Sequence, residues 1–132
     1  MVTIFVIIPL ASAFLSLIIA KKKEAYARYP SLISGFLLLL FSLLALLKVR
    51  EGVMTYALGG WAPPFGICLE LDGLNTLILL IINLIGFCAL VYSCEYIRRY
   101  NSEGMYYTLF SLLLAGLNGV AISADLFNMF VF

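Results

Sequence analysis

The sequence predicts an all-α integral membrane protein with four full transmembrane helices, the start of a fifth, and a short extracytoplasmic β-hairpin between helices 2 and 3. Composition is the first observation: of 132 residues, 64% are hydrophobic and 11% are charged, and the mean hydropathy is +1.12. A soluble domain of this size cannot bury so much apolar surface. The same high apolar content excludes intrinsic disorder. The second observation is that the apolar residues form long runs between short polar links.

Charge and histidine content exclude several functions. A net charge of +1 provides no field for binding nucleic acid or steering charged substrates. Histidine is absent, so a bis-histidine haem anchor is excluded and the usual zinc ligand and general base are missing. Among the three cysteines there is no CxxC pair, and Cys88 and Cys94 would lie on different faces of a helix. We therefore predict cysteines that only pack, and no catalytic residue, cofactor or metal site.

The first two spans follow directly from the apolar runs. Residues 2–20 contain no charge, and at about 1.5 Å per residue they just cross a hydrocarbon core of roughly 30 Å. A signal peptide is disfavoured because no basic residue precedes the run and three lysines follow it, so we predict a retained span with a kink near Pro9. The second span, 30–47, begins at Pro30, where the missing N–H costs nothing, and closes with Lys48.

Residues 49–71 have a different pattern. Apolar residues alternate partly with small or polar ones, which is typical of short strands. Four turn-forming residues punctuate the segment: Gly59, Gly60, Pro63 and Pro64. Tyr56 and Trp61 have the amphipathic rings that collect at the headgroup level. We therefore predict two short strands around a turn, as a hairpin or extended loop on the membrane surface.

Three further helices complete the predicted set. The third span covers 74–96 behind Asp72, a candidate N-cap, and the fourth covers 105–122 behind Ser102, another candidate N-cap. A fifth apolar run, 126–132, stops after about 10 Å of helix. Its last carbonyls would be unpaired in hydrocarbon. We expect either a fragment of a longer protein or a helix end covered by another polypeptide or a protein-lined cavity.

The distribution of basic residues predicts the orientation. One side of the membrane receives six of them: Lys21, Lys22, Lys23, Arg28, Arg98 and Arg99. The opposite side receives Lys48 and Arg50. Because cytoplasmic loops carry the excess of lysine and arginine, the lysine run is predicted to be cytoplasmic and the N-terminus and hairpin outside. The chain is then a multi-pass protein of the inner, cytoplasmic membrane.

Four carboxylates lie near the predicted membrane: Glu70, Asp72, Glu95 and Asp125. None is clearly in the middle of a span. Asp72 and Asp125 both stand at helix starts on the outer side, where a carboxylate accepts hydrogen bonds from free N–H groups. We predict that they cap helices; the alternative is that they collect protons at an entrance.

Two asparagines, Asn83 and Asn118, are the polar side chains deepest in the spans. Hydrogen bonds between helices are the expected role, and a place on a hydrated path is the alternative. With Asp72 and Asp125 they form the set of candidate ion-path residues. A small-residue strip on the fourth span predicts close helix packing and consists of Ala115, Gly116 and Gly119.

Two stretches of the chain resemble a known family. One is LGGWAPPFGI at 58–67, followed by LDGLN at 71–75; the other is LAGLNG at 114–119, continuing through DLFNMFVF at 125–132. Together they look like the N-terminal part of the antiporter-like proton-translocating subunits. That family includes the large subunits of Mrp-type Na⁺/H⁺ antiporters and their relatives in membrane-bound hydrogenases and respiratory NADH dehydrogenases. The Mrp D-type branch is the most similar.

The resemblance implies the first third of a family member, with an outside N-terminus and an outer hairpin between spans two and three. In the family, a glutamate soon after the stretch matching residues 130–132 pairs with a lysine two helices later, and both lie beyond this chain. The expected function is a membrane subunit of an H⁺/Na⁺-translocating module, within a multi-subunit respiratory or hydrogenase-type complex, with this segment mainly as scaffold. The expected partners are other membrane subunits, including antiporter-like homologues, and lipid. The alternative is a non-transporting structural or assembly subunit packed beside full-length homologues.

Overall fold

Each long apolar run forms a helix, because a helix satisfies the backbone hydrogen bonds of an apolar segment internally. The computed structural model describes residues 2–49, 52–57, 67–97 and 102–132. Its helices begin and end within two residues of the predicted spans. They are α1 (Ile4–Ala20), a single 3₁₀ turn (Glu24–Tyr26), α2 (Arg28–Lys48), α3 (Gly73–Tyr96), α4 (Glu103–Ile122) and α5 (Leu126–Val131).

Three helical segments in the described part of the chain are long and apolar enough to cross a membrane. They are Glu24–Lys48, Gly73–Tyr96 and Glu103–Ile122. Helix α1 is as apolar but has 17 residues. At about 1.5 Å per residue it covers about 25 Å, less than a hydrocarbon core of roughly 30 Å. The helical fold is therefore confirmed with three candidate spans, and the fourth full span stays a prediction.

The helices bury small and polar residues and expose large apolar ones. Twelve described polar side chains are buried: Ser12, Ser16, Ser31, Ser34, Ser42, Thr76, Asn83, Ser93, Thr108, Ser111, Asn118 and Asn128. Large apolar side chains on every long helix point outward, among them Phe14, Phe36, Ile85 and Leu109. Water-soluble proteins have the opposite arrangement. Small residues that let helices approach closely, with hydroxyls and amides bonding between them, are typical of membrane helix bundles.

The four long helices form a ring in which consecutive helices are neighbours. Helix α1 packs against α2 and α4, α3 also packs against α2 and α4, and α5 packs against α4. Gly104, at the start of α4, lies so close to Ala20, at the end of α1, that a Cβ on the glycine would overlap the alanine methyl group. The close approach of α1 and α4 therefore depends on a residue without a side chain.

A two-stranded antiparallel sheet confirms the predicted strand pair. Strand β1 (Met54–Ala57) pairs with β2 (Cys68–Leu71), with Met54 opposite Leu71 and Ala57 opposite Cys68. The predicted turn, with Trp61, Gly59, Gly60, Pro63 and Pro64, lies outside the described residues. Leu69 and Leu71 of β2 are buried, in an apolar cluster with residues of α1, α2, α3 and α4.

The links between helices alternate between two ends of the bundle. The hairpin end holds β1, β2 and the link between α4 and α5, since Leu69 of β2 forms a bridge with Ser123. The lysine end holds Lys21, Lys22 and Lys23 together with the start of α4. Arg98 and Arg99, which also contribute to the predicted orientation, lie outside the described residues. Alternating links are what a chain that crosses a layer repeatedly must have.

Candidate functional site

Asn118 compensates for a backbone hydrogen bond that Pro9 removes from α1. Pro9 has no N–H, so the carbonyl of Phe5, four residues earlier, has no partner within the helix. The Asn118 Nδ2 group of α4 donates to this carbonyl at 3.2 Å. Asn118 is 0% exposed and Phe5 is 0% exposed, so the bond is shielded from bulk solvent. Pro9, where the sequence predicts a kink, therefore marks the place where a hydrogen bond joins α4 to α1.

Asn83 and Asn118 meet in the interior, as predicted for hydrogen bonds between helices. The same Asn118 Nδ2 group donates to Asn83 Oδ1 at 3.2 Å, which joins α3 to α4. Asn83 is 1% exposed. Two atoms of the pair have no partner: the Asn83 Nδ2 donor and the Asn118 Oδ1 acceptor. A buried polar atom without a hydrogen bond costs roughly 1–3 kcal/mol, so these two atoms lower the net contribution of the pair to stability.

A second polar cluster lies nearer the lysine end and consists of hydroxyl groups. Ser31 of α2 lies 3.1 Å from Ser16 of α1 and 2.9 Å from Ser111 of α4, oxygen to oxygen. Ser16 also donates to the Ala27 carbonyl at 2.9 Å. All three serines are buried. Ser31 also lies within donating distance of the Tyr107 carbonyl, at 3.3 Å. Because a hydroxyl donates only one hydrogen, Ser31 donates either to this carbonyl or to a neighbouring serine, and each serine pair can bond in either direction.

Asp72 caps α3, as predicted. Its Oδ1 accepts a hydrogen bond of 2.6 Å from the N–H of Asn75, and its own carbonyl accepts a bond of 2.7 Å from the Thr76 hydroxyl. The Asn75 side chain also donates to the Glu70 carbonyl at 3.3 Å. These bonds fix the step from strand β2 into α3, and they use the carboxylate as a structural acceptor.

Asp125 also caps a helix, and it makes one further contact. Its Oδ1 accepts from the N–H of Asn128 at 2.6 Å, which caps α5. Its Oδ2 lies 3.5 Å from the N–H of Cys68, the first residue of β2. The Cys68 carbonyl in turn accepts from the N–H of Ala124 at 3.1 Å. Asp72 and Asp125 therefore stand at opposite ends of strand β2, and each holds it to a different helix.

The prediction that the Ser102 side chain caps α4 is wrong. Ser102 occupies the N-cap position of α4, but its side chain makes no capping hydrogen bond. Its backbone has φ −163° and ψ 58°, away from the usual N-cap geometry that aims the hydroxyl at the first free N–H groups. Only the Ser102 carbonyl takes part in the helix start: it accepts the first hydrogen bond of α4, from the N–H of Tyr106.

The structure joins some of the predicted residues and adds others. It joins Asn83 to Asn118, and it places Asp72 and Asp125 at the hairpin end, where the caps lie. The Phe5 carbonyl and the serine cluster were not predicted. Pro9 within an apolar run was the signal for the first, and a serine inside each of three apolar runs, Ser16, Ser31 and Ser111, was a weak signal for the second. All three cysteines are free.

These features define the class: a multi-pass membrane protein built as a helix bundle with a polar, hydrogen-bonded interior. No family model matches the chain. It is 32% identical over 96% of its length to the D-type subunit of the Na⁺/H⁺ antiporter of Bacillus subtilis, and it covers 26% of that protein. It is 34% identical over 98% of its length to the N-type subunit of the NADH-quinone oxidoreductase of Desulforudis audaxviator, again covering 26% of the relative.

Solved structures show the same relationship. The fold matches a chain of the membrane-bound sulfane sulfur reductase, an archaeal respiratory membrane complex, with a TM-score of 0.90 and 26% identity over 98% of this chain and 27% of that one. It matches a chain of the Mrp complex of a Dietzia species with a TM-score of 0.87 and 26% identity, over 98% of this chain and 24% of that one. The chain belongs to the family of antiporter-like membrane subunits, and it spans about a quarter of the length of the relatives it matches.

Proposed function

We propose that this chain is part of a membrane subunit that translocates protons or sodium ions within a multi-subunit complex, and that this segment serves mainly as scaffold. The observation that carries the proposal is the match, over nearly the whole chain, to an Mrp complex and to a respiratory membrane complex. The described interior supports the scaffold role, because its amides and hydroxyls bond helices to one another. Partners are then other membrane subunits, including antiporter-like homologues, and lipid.

The proposed topology has four full spans in the inner membrane, the start of a fifth, an outside N-terminus and an extracytoplasmic hairpin. The distribution of basic residues supports this orientation. Helix α1 reaches the required length if the turn formed by Val2 and Thr3 is included, since the N–H of Ile7 already bonds the Thr3 carbonyl. The domain is then one set of spans, 2–20, 30–47, 74–96, 105–122 and 126–132, as the N-terminal part of an antiporter-like fold.

We also propose a minor part in the ion path for Asn83 and Asn118. The Asn83 Nδ2 group is a buried donor without a partner, and Asn118 Oδ1 is a buried acceptor without a partner. A water molecule can both accept and donate, so water on such a path would bond to both atoms. Asp72 and Asp125 would serve at most as proton collectors at the outer surface, because both carboxylates already accept capping bonds.

Gene deletion in the native host tests the transport role. Everted membrane vesicles with the chain should show sodium- or proton-coupled dissipation of a respiratory pH gradient, read with a pH-sensitive dye. Vesicles from the deletion strain should lose that activity and regain it on complementation. A complex that assembles and translocates equally well without the chain would contradict the proposal.

A structural or assembly role is the second candidate. It is favoured by the use of every predicted site residue, Asn83, Asn118, Asp72 and Asp125, in bonds that hold elements together. In that case deletion should lower the amount of assembled complex, and the transport rate per assembled complex should stay unchanged. Quantifying both on the same membranes separates the two roles.

A further inference from the structure

An apolar groove runs along the outer surface of the bundle between α1 and α2. It has a volume of about 510 Å³, and it extends from Ile8 to Ile19 on α1, with Tyr26 and Tyr29 at its lysine end. A second depression of about 480 Å³ continues it past Ile19 and Tyr26 to Lys22 and Lys23. The groove and the depression share Ile19 and Tyr26, so an apolar surface and a basic surface lie next to each other.

We propose that this groove binds one anionic phospholipid, with an acyl chain along α1 and α2 and the headgroup phosphate at Lys22 and Lys23. The inference rests only on the chain lying in a membrane, and not on ion transport. The length of the groove selects the occupant. Residues 8 to 19 extend over about 16 Å of helix, which matches the thickness of one leaflet, half of a hydrocarbon core of roughly 30 Å. A transmembrane helix of a partner would need both leaflets.

The charges around the groove mouth complement a phosphate. Lys21, Lys22 and Lys23 are exposed, and within the described ranges no carboxylate forms an ion pair with them, including the neighbouring Glu24. The Lys23 Nζ lies 5.5 Å from the centre of the Tyr26 ring, which orients the ammonium group towards the groove mouth. Tyrosine rings and basic side chains at this level are typical of the headgroup region, where each lysine adds attraction for anionic lipids.

Photo-crosslinking in the intact membrane complex tests the proposal. The purified complex is reconstituted with either phosphatidylglycerol or phosphatidylcholine carrying a diazirine in one acyl chain, and labelled peptides are mapped by mass spectrometry. Phosphatidylglycerol should label residues 8–37 more strongly than phosphatidylcholine. Equal labelling by the two lipids would overturn the proposal, as would the absence of labelled peptides from residues 8–37, which would show that protein covers the groove. This comparison needs no variant, so it holds even if a variant fails to fold.

Variants then separate the headgroup from the acyl chain. Replacing Lys22→Gln and Lys23→Gln should lower phosphatidylglycerol labelling by about fivefold for each lysine and leave phosphatidylcholine labelling unchanged. Lys48→Gln, at the opposite end of α2, is the matched control and should have no effect. Ala11→Trp should fill the groove and lower labelling by both lipids, whereas Leu17→Trp, exposed on α1 outside the groove, should not. Unchanged labelling in the double lysine variant would refute the headgroup site. None of these outcomes depends on whether the complex moves ions.

Discussion

Asn118 replaces the backbone N–H that Pro9 lacks as the donor to the Phe5 carbonyl. Its contribution to the free energy of unfolding can therefore be measured by substitution. Replacing it with leucine, which has a similar volume, leaves the Phe5 carbonyl and Asn83 Oδ1 buried without partners. We expect Asn118→Leu to lower the free energy of unfolding by about 1–3 kcal/mol. Titrating the detergent-solubilised protein with SDS and following helical circular dichroism measures the loss. Leu117→Ala, exposed on the same helix, is the control.

A second substitution tests the cause of that loss. Pro9→Ala restores the N–H group four residues after Phe5, so α1 can satisfy its own carbonyl. In this background, Asn118→Leu should cost clearly less than it does with Pro9 present. An equal loss in both backgrounds would show that Asn118 does not serve the carbonyl freed by Pro9.

Asp125 is expected to behave as a cap. Because asparagine caps about as well as aspartate, Asp125→Asn should change the free energy of unfolding by less than about 0.5 kcal/mol, whereas Asp125→Ala should cost about 1 kcal/mol. Coupled transport by the parent complex should be unchanged in Asp125→Asn. Slower transport at unchanged stability would instead assign Asp125 to proton collection. Reconstituted proteoliposomes with a pH dye supply the rate.

The individual residues show what a sequence can predict. Asp72 and Asp125 were predictable as caps because capping depends on neighbours three residues away. The prediction for Ser102 was wrong because capping also requires a particular backbone conformation, and the φ and ψ of Ser102 differ from it. The sequence predicts that Asn118 forms a hydrogen bond between helices, because a buried amide needs a partner. It does not predict that the partner is the Phe5 carbonyl, because that depends on how α4 packs on α1.

Close packing of α4 against α1 depends on Gly104, and a matched pair of glycines tests this. A Cβ at Gly104 would overlap Ala20, whose backbone leaves it little room to move, so Gly104→Ala should destabilise the bundle by about 1–3 kcal/mol. Gly73, at the start of α3, has no atom within 4 Å of where a Cβ would lie. Gly73→Ala should therefore be neutral or slightly stabilising. Equal effects of the two substitutions, in the same SDS titration, would contradict the close-packing interpretation.

The helices and strands were predictable in kind and nearly in extent, because long apolar runs and a glycine- and proline-punctuated link have few alternatives in a bilayer. Helix α1 begins two residues after the start of the apolar run. Val2 and Thr3 belong to the apolar run but form a turn before the helix begins at Ile4. Composition defines the run, whereas the helix start depends on local backbone geometry. The docking of β2 on the link between α4 and α5 was not predictable, because it joins residues far apart in the chain.

The lysine content of the links predicts which end of the bundle faces the cytoplasm. In a background with Cys68, Cys88 and Cys94 replaced by alanine, single cysteines are introduced by Lys22→Cys and Tyr56→Cys, both exposed positions. A membrane-impermeant maleimide should label position 56 in right-side-out vesicles and position 22 only in inverted vesicles, because lysine-rich loops stay in the cytoplasm. Labelling of position 22 from outside would reverse the proposed orientation.

The bundle as a whole should not conduct ions by itself. Its described acidic and basic side chains lie in the links or near the helix ends, whereas the interior between α1, α3 and α4 contains asparagines, hydroxyls and apolar groups. Moving a charge past such a centre costs at least a few kcal/mol, and about 10 or more if no water follows it. We therefore expect liposomes containing only this 132-residue chain to show no proton or sodium flux above the lipid leak. Liposomes with the intact complex are the positive control. Flux through the chain alone would require a hydrated path, and if Asn83→Leu abolished it, the path would run through the unpaired Asn83 amide.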